Sequence, residues 1–132
     1  MSFESGLTDL NGDRRVELLV VDDDDELRED LCRYFAQAGY NVSDSPSGEH
    51  ALTLADNRAF DVMILDMAMP GMNGFELAKQ IAERSNQSIP VVALTGWGQT
   101  LSRQDQSANG VSRVISKPIR LETLREVLDQ LI

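Results

Sequence analysis

From Val16 onward, short apolar runs alternate with longer stretches in which apolar residues return every three or four positions. "VELLVV" (16–21), "DVMILD" (61–66) and "IPVVALT" (89–95) are nearly unbroken and rich in β-branched residues, as parallel strands covered on both faces should be. "YNVSDS" (40–45) and "VSRVISK" (111–117) read as two further strands. "LREDLCRYFAQAG" (27–39), "GEHALTLADNR" (48–58), "FELAKQIAER" (75–84) and "LETLREVLDQLI" (121–132) have helical spacing, with Leu27, Leu31, Tyr34, Phe35 and Ala38 along one face of the first. The polar stretch 98–109 takes the place of one more helix. It offers little beyond Leu101 and Ala108 to bury and is expected to pack loosely. Five strands and five helices in strict alternation predict an open, doubly wound parallel α/β sheet with right-handed crossovers. Residues 1–15, with Gly6 and "NGD" at 11–13, show no periodicity and read as a polar leader or linker before a folded unit at 16–132.

Length and charge narrow the function classes. The 132 residues suffice for one domain with a real core. Twenty-two acidic against twelve basic residues give a formal charge of −10, which disfavours nucleic acid and anionic membrane surfaces and favours a site that collects cations. The single cysteine, Cys32, excludes an internal disulfide. The N-terminal residues lack the apolar core of a signal peptide, and no run approaches the ~20 residues that span a bilayer, so the cytoplasm is the expected compartment.

In a doubly wound sheet the carboxyl ends of the strands share one edge, where ligands bind. The runs end in Asp22 and Asp23, Asp66, Thr95 and Lys117. Singly, each has a plain structural explanation, since strands often end in polar residues and Asp23 or Asp24 could cap the first helix. Asp24 and Asp25 continue the acidic run toward the positive end of that helix. Together, carboxylates from two strands repel unless a divalent cation joins them, and Mg²⁺ is typically held by one or two carboxylates with phosphate oxygens. Lys117 and Thr95 suit phosphoryl oxygens. No Gly-rich phosphate loop is present, which points away from a nucleotide and toward a phosphoryl group on a protein carboxylate. Asp66, ending the third strand, is the candidate nucleophile for an acyl phosphate.

These residues resemble the receiver domain of two-component response regulators. "VVDDD" (20–24), "ILDMAMPGMNGFEL" (64–77), "VVALTG" (91–96) and "SKPI" (116–119) match that family's motifs in order, over about residues 16–132. The resemblance implies a flavodoxin-like (βα)5 fold with strand order 2-1-3-4-5. It implies that Asp66 accepts a phosphoryl group from a phosphohistidine on a sensor histidine kinase or phosphotransfer protein. Asp23, Asp66 and the backbone carbonyl of Ala68 would bind Mg²⁺, with Asp22 helping. Lys117 would pair with Asp66 and then with the phosphate, Thr95 would move toward the phosphate, and the Lys117–Pro118 bond would be cis. Such a domain is a signalling switch rather than an enzyme in its own right. An output partner, or a second copy of the chain, would read the switched surface, with no direct contact to nucleic acid or membrane.

Three positions depart from the family pattern. Val114 stands where many receivers carry an aromatic that changes rotamer with the threonine, so that switch cannot operate as usually described. Ala68 and Trp97, two beyond Asp66 and Thr95, cannot orient a hydrolytic water, and a long-lived phosphoryl group shielded by Trp97 is expected. "LTGWGQ" (94–99) is closer in flavour to receivers of hybrid sensor kinases. Elsewhere Cys32 reads as a packing residue, and His50 as a solvated helix residue away from the site edge. Met67, Met69 and Met72 read as packing around the site, with Pro70, Gly71 and Gly74 as turn punctuation. Three rivals are weaker. A flavin-type binder lacks its phosphate loop, and an aspartyl-phosphate phosphatase would want a second aspartate at Ala68. A dimerisation module would not need a complete site.

Overall fold

In a computed structural model of the chain, which describes residues 15–67, 74–85, 89–96 and 111–132, five strands make one sheet. They are β1 (Glu17–Val21), β2 (Asn41–Ser45), β3 (Val62–Asp66), β4 (Val91–Thr95) and β5 (Arg113–Ser116). All pairings are parallel, and the order is β2-β1-β3-β4-β5, as the resemblance implies. The described helices are α1 (Asp25–Gln37), α2 (Gly48–Asn57), α3 (Gly74–Ser85) and α4 (Leu121–Leu131). The leader at 1–14 and the weak helix at 98–109 lie outside the described residues.

Alternation along the strands explains the unbroken apolar runs. Leu19, Val21, Met63, Leu65, Val91 and Ala93 point to one face and pack with Ala51 and Ala55 of α2 and Leu77, Ala78 and Ile81 of α3. Leu18, Val20, Val62, Ile64, Val92 and Leu94 point to the other and pack with Leu31 and Phe35 of α1 and Leu124 and Leu128 of α4. Each fully buried Leu, Ile or Phe contributes about 1.5–3 kcal/mol relative to exposure, so two dry faces, rather than strand propensity, hold the sheet.

Local signals set the element ends. Asp24 caps α1, its carboxylate accepting from the N–H groups of Glu26 and Leu27 at 3.1 and 3.2 Å. α1 therefore starts two residues earlier than its apolar spacing suggests. Gly39, at φ 99°, takes the left-handed conformation that ends it. Ser47 caps α2 through the His50 N–H. Asp22, Asp23 and Lys117, read as strand ends, lie just past β1 and β5.

Candidate functional site

The ladder delivers the polar residues to one edge. The Asp22 N–H donates to the Ser45 carbonyl (3.1 Å), the Met67 N–H to Leu94 (3.0 Å), and the Lys117 N–H to Thr95 (2.7 Å). Asp22 is 0% exposed, Asp66 3% and Thr95 1%, whereas Asp23 is exposed. One carboxylate oxygen from each of Asp22, Asp23 and Asp66 lies within 4.8 Å of the others. Lys117 Nζ stands 3.5 Å from Asp66 Oδ1 and 3.9 Å from Asp22 Oδ2. The Lys117–Pro118 bond is cis, as expected.

The cluster is electrostatically strained in a way a cation relieves. Burial raises the Asp22 pKa from 3.8 to about 6, against the lowering effect of the Asp24 N–H, which donates to its Oδ1. The neighbouring Asp66 adds to the rise and Lys117 opposes it. Asp22 Oδ2 is buried without a hydrogen-bond partner among the described residues, and so is Thr95 Oγ1. Buried acceptors are normally satisfied, and leaving one bare costs about 1–3 kcal/mol. Three hard carboxylate oxygens, one of them unpartnered, fit a small divalent cation such as Mg²⁺. The Thr95 hydroxyl has a donor to offer an incoming oxygen.

Of the residues singled out from sequence, Asp22, Asp23, Asp66, Thr95 and Lys117 come together. Ala68, Trp97, Met69, Pro70, Gly71 and Met72 lie outside the described residues. Asp24 and Asp25 belong to the start of α1, where Asp25 pairs with Arg28 at 2.6 Å. Cys32 is half-buried, and burial pushes its thiol up to about 11, so packing accounts for it. Val114 is half-buried against the α2–α3 side of the core. Two readings change. His50 is exposed, but it is not remote from the site edge. Its Nδ1 lies 3.0 Å from Ser45 Oγ, and the Ser45 carbonyl receives the Asp22 N–H. Gly74 does more than punctuate a turn: a Cβ there would meet Met67 Sδ at 2.6 Å and Met67 Cα at 3.2 Å. Glycine lets the start of α3 close on the residue after Asp66 without moving the Met67 side chain and, by a few tenths of an ångström, its backbone. Sequence reasoning passed over Arg28: its i,i+3 spacing from Asp25 is an ordinary helix pair, and nothing in the spacing signals its bonds to the Asp22 carbonyl and to Asp44 on β2.

A five-stranded parallel sheet with this order, carrying an aspartate cluster, a hydroxyl and an ammonium at its carboxyl edge, defines a flavodoxin-like phosphoacceptor class of protein. The family model for the response regulator receiver domain matches residues 18–129, and the chain belongs to that family. It is a receiver domain of two-component signalling. The chain is 34% identical over 115 residues to Transcriptional activator protein PfeR of Pseudomonas aeruginosa, covering 87% of this chain and 37% of that protein. It thus spans little more than a third of that curated relative. Chemotaxis response regulator CheY4 of Vibrio cholerae superposes with a TM-score of 0.81 at 32% identity, over 89% of this chain and 99% of that one. Response regulator TrrA of Thermotoga maritima, described in complex with Mg²⁺–BeF, superposes with a TM-score of 0.75 at 29% identity, over 89% of this chain and 99% of that one. No described helix is long and apolar enough to cross a membrane.

Proposed function

We propose that Asp66 is the phosphoacceptor, served by Asp22, Asp23, Thr95 and Lys117, in a unit comprising residues 16–132 that follows a polar leader at 1–15. The observation that carries this reading is the meeting of three carboxylates within 4.8 Å, with Lys117 Nζ 3.5 Å from Asp66 Oδ1. The donor is a phosphohistidine on a sensor histidine kinase or a histidine phosphotransfer protein. An Asp66 oxygen attacks phosphorus, the P–N bond breaks, and the imidazole nitrogen leaves with the electron pair and takes a proton from solvent. The chain's own part is orientation and charge: Lys117 faces the developing negative oxygens, and Thr95 offers its hydroxyl. Bound at Asp22, Asp23, Asp66 and the Ala68 carbonyl, Mg²⁺ would supply charge neutralisation at the phosphoryl oxygens. The Mg²⁺–BeF complex of TrrA supports that choice of ion.

Beyond its own phosphorylation and dephosphorylation the chain catalyses no reaction. It acts in the cytoplasm by changing the surface offered to an output partner or to a second copy of the chain. At about 1.5–3 kcal/mol for each hydrogen bond to a charged group, new hydrogen bonds from Thr95 and Lys117 to the phosphoryl oxygens suffice to bias a loop between two arrangements. Incubation with acetyl phosphate and Mg²⁺ followed by intact mass tests the site. A phosphate-sized gain is expected in the wild type and its loss in Asp66→Ala. No gain in folded wild type, or an unchanged gain in Asp66→Ala, overturns the reading.

A further inference from the structure

One turn into α1, Arg28 has a side chain only 12% exposed and uses three guanidinium nitrogens on the segment just past β1, on its own helix and on β2. Nη1 donates to the Asp22 carbonyl at 2.8 Å, Nη2 to Asp25 Oδ1 at 2.6 Å, and Nε to Asp44 Oδ2 on β2 at 2.9 Å. The Asp22 N–H is already tied to the Ser45 carbonyl, and the Asp24 N–H to Asp22 Oδ1. The main chain on both sides of Asp23 is therefore anchored. Asp23 itself is exposed, and its carboxylate makes no hydrogen bond among the described residues. The backbone that carries it sets where its Cα–Cβ bond starts and so which rotamers bring the carboxylate to the cluster.

We propose that Arg28 is a positioning residue for the divalent-cation site: its fork fixes the Asp22–Asp23 segment against α1 and β2 and so aims the Asp23 carboxylate at the ion. The inference rests on the reading of Asp22, Asp23 and Asp66 as the Mg²⁺ site. It makes an unusual demand on sign. By charge alone, removing a cation beside an acidic cluster strengthens Mg²⁺ binding. By positioning, it weakens binding, because the guanidinium charge is engaged by Asp25 and Asp44 and what the site loses is geometry. Lysine cannot replace it, since an ammonium is a point charge without the planar fork.

Calorimetric titration with Mg²⁺ separates these outcomes, with circular dichroism confirming the fold of each variant. Arg28→Met is expected to raise the Mg²⁺ Kd about tenfold, the lower end of what loss of an outer partner does to metal sites. Arg28→Lys, which keeps charge and stem, should stay at least about fivefold weaker than wild type, and it decides alone if Arg28→Met does not fold. Ser47→Ala, which removes the α2 cap and with it about 0.5–2 kcal/mol of stability, should leave Kd unchanged. Binding as tight as wild type or tighter in Arg28→Met, full recovery in Arg28→Lys, or an equal loss in Ser47→Ala overturns the proposal. If Asp23→Asn binds Mg²⁺ as wild type does, the reading of the site fails instead.

Discussion

Replacing Asp22 by asparagine should make the metal-free protein more stable and the Mg²⁺-loaded protein relatively less so. Asparagine keeps an oxygen for the Asp24 N–H and puts a donor where Asp22 Oδ2 now lies buried, without a hydrogen bond among the described residues and between Asp66 and the Lys117 ammonium. A rise in the Asp22 pKa from 3.8 to about 6 corresponds to about 3 kcal/mol, at about 1.4 kcal/mol per pH unit. The sign follows from proton binding. The folded state holds this proton more tightly than the unfolded chain, so the contribution is complete below pH 3.8 and lost as pH climbs through about 6. Asp22→Asn has no such loss. Urea unfolding in EDTA should therefore find the two proteins close near pH 3.5 and the variant ~3 kcal/mol more stable at pH 7.5. Mg²⁺ at a hundred times its Kd returns ~2.7 kcal/mol to the wild type and little to the variant, nearly closing the gap. A variant no more stable than wild type at pH 7.5 in EDTA, or a gap independent of pH, would refute the argument.

Two other substitutions probe the same edge. Gly74→Ala places a methyl 2.6 Å from Met67 Sδ and 3.2 Å from Met67 Cα. Urea unfolding should register a loss of about 1–2 kcal/mol despite alanine's better helix propensity, and Met67→Ala in the same chain should recover only part of it; unchanged stability would discount the close approach. Thr95→Val removes a buried hydroxyl without a partner among the described residues. It should stabilise the unphosphorylated protein by about 1 kcal/mol while abolishing the change in amide exchange that phosphorylation produces; wild-type exchange changes in the valine variant would count against a role for Thr95.

Much of the fold was legible in the sequence because covering both faces of a parallel strand leaves an unmistakable trace. "VELLVV", "DVMILD" and "IPVVALT" are short, apolar and rich in β-branched residues, as interior parallel strands are, and in such a sheet their last polar residues emerge at one edge. Asp66, Thr95 and Lys117 were accessible to that argument. Asp24 and Asp25 were legible as the start of the first helix, and the difference between Asp22 and Asp23 was not. Asp22 is fully buried and its neighbour Asp23 exposed, a difference set by one step of backbone direction that composition does not encode. The proline at 90, which has no N–H to donate, accounts for β4 starting at Val91 rather than at Ile89.

The alternation of elements, the doubly wound sheet, and the set of residues carried to its carboxyl edge can be read from the linear chain, since those depend on periodicity and on where each run stops. How that edge is held depends on contacts made in the folded chain. Arg28 reaches Asp22 six residues back, Asp25 three residues back, and Asp44 on a neighbouring strand. Gly74 closes on Met67, seven residues before it, and Asp22 becomes a strained carboxylate through burial beside Asp66. Such effects arise from distances of a few ångströms between groups whose spacing in the chain is irregular, from three residues to more than forty. Hydrogen bonds, steric contact and desolvation act at that range, whereas a linear pattern of polar and apolar residues records only which face each side chain turns toward the core.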